Sequence, residues 1–131
     1  MSPAAPHPAP RILNVDDNDG ARYVKTRVLT LAGFEVSEAR NGREALDLLA
    51  KTAVDVLFTD INMPVMNGAE LLRALATQPD VVRARVVIST DGSEARKAEV
   101  VGLNVDWYLE KPLRPEVMRD VLSKVAERVH G

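Results

Sequence analysis

The segments VDVLF (residues 54–58) and RVVIS (residues 85–89) are apolar at nearly every position. A strand with one face in water alternates apolar and polar residues, whereas a parallel strand covered by helices on both faces is apolar almost throughout. Both segments are also short and rich in residues that favour strands. They therefore predict neighbouring strands of a parallel sheet with helices on both of its faces.

Outward from these two segments, short apolar runs alternate with longer segments of helical period. The predicted strands are residues 12–15, 34–37, 54–59, 85–89 and 107–109, and the predicted helices are residues 19–32, 42–51, 68–77, 93–103 and 115–129. Asn41 with Glu44, and Asn67 with Glu70, have the spacing of a helix N-cap and its third-position acid. Five strand–helix units in one short chain predict a doubly wound α/β fold.

Length and composition limit the classes of protein that the chain can form. The 131 residues suit one domain with a single core. A formal charge of −2 gives no indication of a surface for nucleic acid or for an anionic membrane. The absence of cysteine excludes disulfides, thiolate metal sites and a cysteine nucleophile. Because there is also no membrane-span pattern and no signal-peptide pattern, a cytoplasmic location is expected.

The N-terminal segment differs in composition from the rest of the chain. Residues 1–10 contain four of the eight prolines, a composition that favours an extended and solvated tail. We therefore expect residues 1–10 to be disordered and residues 11–130 to form the domain.

The first predicted helix has an apolar stripe at helical spacing. The stripe consists of Tyr23, Val24, Val28 and Leu31. A stripe of this kind is more often part of a core than a recognition surface, so we expect these side chains to be buried.

Polar side chains gather at the carboxyl ends of the predicted strands, where ligands bind in sheets of this kind. They are Asp16, Asp17, Asp60, Asn62, Ser89, Thr90 and Lys111. Two carboxylates about 4 Å apart repel by roughly 4 kcal/mol at an effective dielectric near 20, so grouped acids need a cation or access to water. Oxygen ligands without histidine or cysteine favour Mg²⁺ or a similar ion, and a lysine opposite it suits a phosphoryl oxygen.

The density of aspartates in DDNDG (residues 16–20) also raises the possibility of an EF-hand calcium loop. Counted from Asp16, however, the sixth position is Ala21 and the twelfth is Arg27. An EF-hand requires glycine and glutamate at these two positions, so this alternative is rejected.

Four motifs in this order resemble the receiver domain of two-component response regulators. They are DD (residues 16–17), DINMPVMNG (60–68), ST (89–90) and YLEKP (108–112), and the resemblance covers residues 11–129. It implies a flavodoxin-like fold, with five parallel strands in the order 2-1-3-4-5 and five helices. Within the family, the chain resembles the stand-alone, chemotaxis-like type.

The resemblance implies a role for each residue of the acidic site. Asp60 corresponds to the phosphoacceptor, and Lys111 corresponds to the lysine that contacts it and then its phosphoryl group. Asp17, Asp60 and the backbone carbonyl of Asn62 correspond to ligands of Mg²⁺, and Asp16 corresponds to an acid that acts on the ion through water.

Two switch positions are also implied, one of them with an alternative. Counting back from the lysine selects Ser89 as the switch hydroxyl, whereas counting forward from the acceptor allows Thr90. Ser89 is favoured because STDGS (residues 89–93) resembles receivers in which the first hydroxyl lies at the strand end. Tyr108 corresponds to the aromatic residue whose inward or outward position reports the phosphorylation state.

Two backbone features are expected as well. The bond between Lys111 and Pro112 is often cis in members of this family. Asn104 stands where many of them have glycine. Since asparagine tolerates left-handed backbone conformations, this difference does not argue against the resemblance.

We therefore expect a switch that accepts a phosphoryl group from a histidine kinase or a histidine phosphotransfer protein in a Mg²⁺-dependent reaction. Its output would be control of partner binding by the fourth predicted helix, the fifth strand and the fifth helix. We expect no other enzymatic activity, no nucleic-acid or membrane binding, and a monomer or weak dimer. The alternatives are a receiver excised from a larger regulator or hybrid histidine kinase, and a receiver-fold module that binds without phosphorylation. A phosphatase of the aspartyl-phosphate type is disfavoured because Asn62 stands where a second acid is usual.

Overall fold

The computed structural model of the protein describes residues 9–78, 80–89 and 98–130. In these ranges it contains five strands and four helices: β1 (Arg11–Val15), α1 (Asp19–Leu31), β2 (Glu35–Ala39), α2 (Gly42–Leu49), β3 (Val56–Asp60), α3 (Gly68–Leu75), β4 (Ala84–Ser89), β5 (Trp107–Glu110) and α4 (Pro115–His130). None of these helices is long and apolar enough to cross a bilayer. Most of the segment predicted as a tail, residues 1–8, lies outside the described ranges; Pro10 is buried, and its carbonyl accepts a hydrogen bond from the N–H of Glu35.

The described ranges contain four of the five predicted helices. The first five residues of the predicted helix over residues 93–103 lie outside the described residues; of the rest, Ala98 is helical and residues 99–102 form turns. There the N–H of Val101 donates to the carbonyl of Ala98, and the N–H of Leu103 donates to that of Val100. Gly102 follows with a φ of 79°, a left-handed conformation that does not continue a helix. Helix α4 is thus the fifth of the predicted helices.

The five strands form one parallel sheet in the order β2-β1-β3-β4-β5. The register pairs Val15 with Ala39 of β2 and with Thr59 of β3, and it pairs Asp60 with Ile88 of β4. Parallel pairing brings the carboxyl ends of all five strands to one edge. The predicted doubly wound α/β fold and its flavodoxin-like strand order are confirmed.

Successive strand residues face opposite sides of the sheet, and each side has its own core. Leu13 and Leu57 belong to a core that is completed by residues of α2 and α3. Ile12 and Phe58 belong to a second core that contains Leu29 of α1 and the buried face of α4. The sheet is therefore covered on both sides, as the apolar strands require.

Three helices begin at asparagine side chains that accept backbone N–H groups. Asn18 accepts from Ala21 at the start of α1, and Asn41 accepts from Glu44 at the start of α2. Asn67 and Glu70 form a reciprocal capping box at the start of α3, with both hydrogen bonds present. The two caps expected from the sequence are thus formed, and all three helix N-termini lie beside the carboxyl edge of the sheet.

The apolar stripe of α1 is not part of the core, contrary to the prediction. Its four side chains are exposed to 60, 58, 39 and 82% for Tyr23, Val24, Val28 and Leu31. The buried positions of the helix are Lys25 and Leu29. Helical spacing identified residues that share a face, but the face that packs on the sheet contains a lysine instead.

Candidate functional site

Asp60 is buried at the end of β3, with 3% of its surface exposed. Its Oδ2 lies 2.7 Å from the Nζ of Lys111, which follows β5. Its Oδ1 accepts a hydrogen bond of 3.1 Å from the backbone N–H of Asn62. The carboxylate is therefore fixed at the sheet edge by a lysine on one oxygen and by its own loop on the other.

A close approach of the backbone holds Asp60 in this place. The N–H of Gly68, the first residue of α3, donates to the carbonyl of Ile61 at 3.0 Å. A Cβ atom on Gly68 would lie 2.5 Å from the carbonyl oxygen of Asp60 and 2.8 Å from the Cα of Ile61. Only glycine leaves room for the end of β3 against the start of α3, so Gly68 fixes the geometry of the loop between them.

Asp16 is also buried, and it too is paired with a lysine. Its Oδ2 lies 2.6 Å from the Nζ of Lys25, and its Oδ1 accepts a hydrogen bond of 2.9 Å from the N–H of Asn18. Asp16 is 1% exposed and Lys25 is 6% exposed. The Lys25 Nζ also lies 6.0 Å from the centre of the Phe58 ring. Sequence reasoning missed Lys25; the only signal for it was a lysine four residues before an apolar residue of the same helix.

Asp17 differs from the other two acids because its side chain is exposed. Although all three aspartates lie at one edge of the sheet, no three acidic or histidine side chains of the described ranges form a group that could hold a metal ion. The donors expected for a cation are nevertheless all oxygens, from the carboxylates of Asp17 and Asp60 and the carbonyl of Asn62. This donor chemistry fits Mg²⁺, which takes one or two carboxylates and keeps several waters.

The switch hydroxyl stays a prediction. Ser89 ends β4 beside Glu110 of β5, which places it at the same sheet edge as Asp60. Its side chain and the whole of Thr90 lie outside the described part of the structure, so the choice between the two hydroxyls is not tested.

Tyr108 lies in β5, opposite Val87 of β4. Its side chain is partly buried against the core that α2 and α3 cover, whereas the neighbouring Trp107 packs against the core on the other side of the sheet. Tyr108 therefore lies on the same side of the sheet as Val100 and Leu103, which precede β5 in the chain.

Two expected backbone features are present, and one unexpected feature accompanies them. The bond between Lys111 and Pro112 is cis, and Asn104 has a φ of 63°. Val65, in the loop between β3 and α3, has a φ of 69° although it is β-branched and 80% exposed. A left-handed conformation at such a residue is an outlier, and it lies in the loop that follows Asp60.

The family of the chain is shown by comparison with known proteins. The model of the response regulator receiver domain matches residues 12–123, so the chain belongs to this family of two-component signalling proteins. A chemotaxis protein CheY homologue of Campylobacter jejuni is 36% identical over 118 residues, which cover 88% of this chain and 91% of that protein. The chain is accordingly a receiver domain of the CheY type.

Two further comparisons agree with this assignment. The structure of the chemotaxis protein CheY4 of Vibrio cholerae superimposes with a TM-score of 0.81 at 34% identity, covering 89% of this chain and 98% of that one. The response regulator MprA of Mycolicibacterium vanbaalenii is 38% identical over 108 residues, which cover 81% of this chain but 46% of that protein. The same domain thus matches both a protein of similar length and part of a longer regulator.

Proposed function

We propose that the protein is a phosphoacceptor switch in which Asp60 accepts a phosphoryl group from a phosphohistidine of a histidine kinase or histidine phosphotransfer protein. The observation that carries this proposal is the buried carboxylate of Asp60, held 2.7 Å from Lys111 at the sheet edge of a receiver-family chain. The proposed reaction is Mg²⁺-dependent, with Asp17, Asp60 and the carbonyl of Asn62 as ligands and Asp16 acting through water.

The arrangement suits phosphoryl transfer because charge is the main obstacle to the reaction. A carboxylate and a phosphoryl group repel each other, and catalysis therefore consists mostly of positioning and neutralisation. One oxygen of Asp60 attacks phosphorus and forms an acyl phosphate, while the bond between phosphorus and the donor histidine breaks and its electron pair stays on the imidazole. Lys111 neutralises charge on the phosphoryl oxygens, and a bound Mg²⁺ would do the same from the other side.

The output of the switch is a change of surface that controls a downstream protein. A phosphoryl group on Asp60 adds charge and three acceptor oxygens, which attract the hydroxyl of Ser89, or alternatively of Thr90, and the ammonium of Lys111. Tyr108 then moves inward, and the surface formed by the predicted fourth helix, β5 and α4 changes. A shift from 1:99 to 99:1 requires about 5.5 kcal/mol, which two or three charge-assisted hydrogen bonds of about 1.5–3 kcal/mol each supply.

We further propose that the protein acts in the cytoplasm as a monomer or weak dimer, without nucleic-acid or membrane binding. Its only catalysis is its own phosphorylation and dephosphorylation.

The test is the intact mass of the protein after incubation with acetyl phosphate, with and without Mg²⁺. The wild type is compared with Asp60→Asn and with Asp47→Asn, which changes an exposed aspartate on α2. We expect a gain of one phosphoryl group that requires Mg²⁺, persists in Asp47→Asn and is lost in Asp60→Asn. No gain from acetyl phosphate or from any phosphorylated kinase in a panel would reject the proposal in favour of a module that binds without phosphorylation.

The match to MprA favours a second candidate, in which the same switch forms part of a larger regulator. An antibody against the domain would detect this directly, because the protein in cell extracts would migrate well above the 131-residue chain. A hybrid histidine kinase would give the same result with a membrane-bound product.

A further inference from the structure

Lys25 is a buried ammonium group that the proposed phosphoryl transfer does not use. It lies on the sheet-facing side of α1, with its Nζ 2.6 Å from Oδ2 of Asp16. The side chains of the pair are 8% and 1% exposed, so water reaches neither group freely. Lys25 also lines a groove between α1 and α4. The apolar side chains of Val28, Met118 and Leu122 line the same groove.

An apolar residue would suit the position of Lys25 better than an unpaired charge. Leu29, one turn further along the same face, is fully buried. A buried charge is unfavourable unless it is paired, and removing one partner of such a pair leaves the other uncompensated. The lysine therefore depends on Asp16, and the carboxylate of Asp16 is held by the lysine.

This pairing changes the electrostatics of the sheet edge. Asp60 contacts Lys111 and Asp16 contacts Lys25, whereas Asp17 contacts no lysine among the described residues. Three carboxylates and two ammonium groups leave these five groups with a net charge of −1, and without Lys25 the net charge would be −2.

We propose that Lys25 is a positioning residue that acts on the cation site through Asp16. It holds the Asp16 carboxylate within the fold and neutralises it, and it thereby lowers the affinity of the sheet edge for Mg²⁺. Because the ammonium group of Lys25 already neutralises the carboxylate of Asp16, a bound cation gains less electrostatic attraction from that carboxylate. This inference rests on the Mg²⁺-dependent function proposed above and adds to it a residue that tunes the affinity.

The experiment is a Mg²⁺ titration of the unphosphorylated protein at low ionic strength, followed by the NMR shifts of the backbone amides of Asp17 and Asn62. The variants are Lys25→Met, Lys25→Met with Asp16→Asn, and Lys51→Met. Lys51 is exposed and follows the end of α2 at the opposite edge of the sheet, so its variant removes the same charge at a distance. No phosphorylation is involved in this measurement.

We expect Lys25→Met to bind Mg²⁺ at least about fourfold more tightly than the wild type. A unit charge about 10 Å from a divalent ion already changes affinity by roughly that factor in water. Lys51→Met should remain within about twofold of the wild type, because screening and distance weaken its effect. The variant with both substitutions should bind Mg²⁺ as tightly as the wild type or more weakly. Lys25→Met removes one positive charge and Asp16→Asn removes one negative charge, so the net charge of the site is unchanged.

Equal or weaker binding by folded Lys25→Met would overturn the inference and leave a purely structural ion pair. If the variant is too unstable to titrate, the rise of its melting temperature with Mg²⁺ replaces the titration, since at a given concentration a ligand that binds the native state more tightly stabilises it more. A larger rise than in the wild type supports the inference, and an equal or smaller rise overturns it. If neither the wild type nor Lys25→Met responds to Mg²⁺, the proposed metal-dependent function itself fails.

Discussion

The Nζ of Lys111 and the Oδ2 of Asp60 lie 2.7 Å apart, although Asp60 ends β3 and Lys111 follows β5, two strands that are separated in the sheet by β4. The two residues are 51 positions apart in the sequence. The contact therefore joins the ends of β3 and β5 across the whole candidate site. Its contribution to stability and its contribution to chemistry can be measured separately.

Replacing Lys111 by methionine leaves the buried carboxylate of Asp60 without its cation. We expect the free energy of unfolding at neutral pH to fall by about 1–3 kcal/mol, below the range for fully buried pairs because the lysine side chain is 29% exposed. Urea unfolding of Lys111→Met, of Asp60→Asn and of the double variant measures the coupling. In the double variant most of the loss should be recovered; strictly additive losses would show that the pair is not coupled in stability.

The close contact at Gly68 predicts a sensitive position outside the charged site. Gly68→Ala places a methyl group within 2.5 Å of the Asp60 carbonyl oxygen, so α3 or the end of β3 must shift. We expect a loss of about 2–4 kcal/mol in unfolding free energy, in the range of strained core substitutions, together with slower phosphorylation by acetyl phosphate.

Gly20→Ala is the matched control for this substitution. A Cβ atom there would meet only Asn18 Oδ1, at 3.5 Å, in the first turn of α1. Alanine favours a helix over glycine by up to about 1 kcal/mol, so this variant should be neutral or more stable. Similar destabilisation by both alanines would mean that glycine flexibility, and not the contact with Asp60, determines the effect.

Val65 predicts a substitution that stabilises the protein. Its φ of 69° lies in the left-handed region, which costs a residue with a branched Cβ about 1–2 kcal/mol, and its side chain is 80% exposed. Asparagine tolerates this conformation, so Val65→Asn should raise the free energy of unfolding by about 1 kcal/mol. Val65→Ile keeps the β-branch and should change it little. Thermal unfolding of the wild type, Val65→Asn and Val65→Ile tests this prediction. An unchanged or lower melting temperature for Val65→Asn would contradict it.

The fold was predictable because its signals are local and repeat along the chain. Apolar strands of the length of β3 and β4 are typical of a sheet that is covered on both faces, and Asn41 and Asn67 mark helix starts by bonds to residues three positions away. The strand order came from the resemblance to receiver domains, and the sheet confirms it.

The errors have a common cause in contacts that sequence spacing does not define. Helical periodicity grouped Val24, Val28 and Leu31 on one face, but it did not determine which face of α1 packs on the sheet. Lys25 is buried because its partner, Asp16, precedes the helix and lies at the end of β1. Such a lysine could be recognised from the sequence only if the position of the carboxylate were already known.

A contact at the start of α2 predicts how the stability of the protein changes at acidic pH. The carboxylate of Glu44 accepts hydrogen bonds from the side chain and the backbone N–H of Arg40. These bonds, the side-chain bond first, hold the pKa of Glu44 below its ordinary value of 4.5. The same contact raises the pKa of Arg40, which stays charged at every pH considered and adds no pH dependence.

A carboxyl group whose pKa is lower in the folded state stabilises the protein above its unfolded pKa, and this contribution is lost as the pH falls through the folded pKa. The wild type should therefore be more stable than Glu44→Gln at pH 7, and the difference should shrink below about pH 4.5. Urea midpoints at several pH values from 7 downward test this, with Glu127→Gln on the exposed side of α4 as the control. A difference between wild type and Glu44→Gln that stays constant with pH would mean that the variant acts through helix capping alone and not through the charge of Glu44.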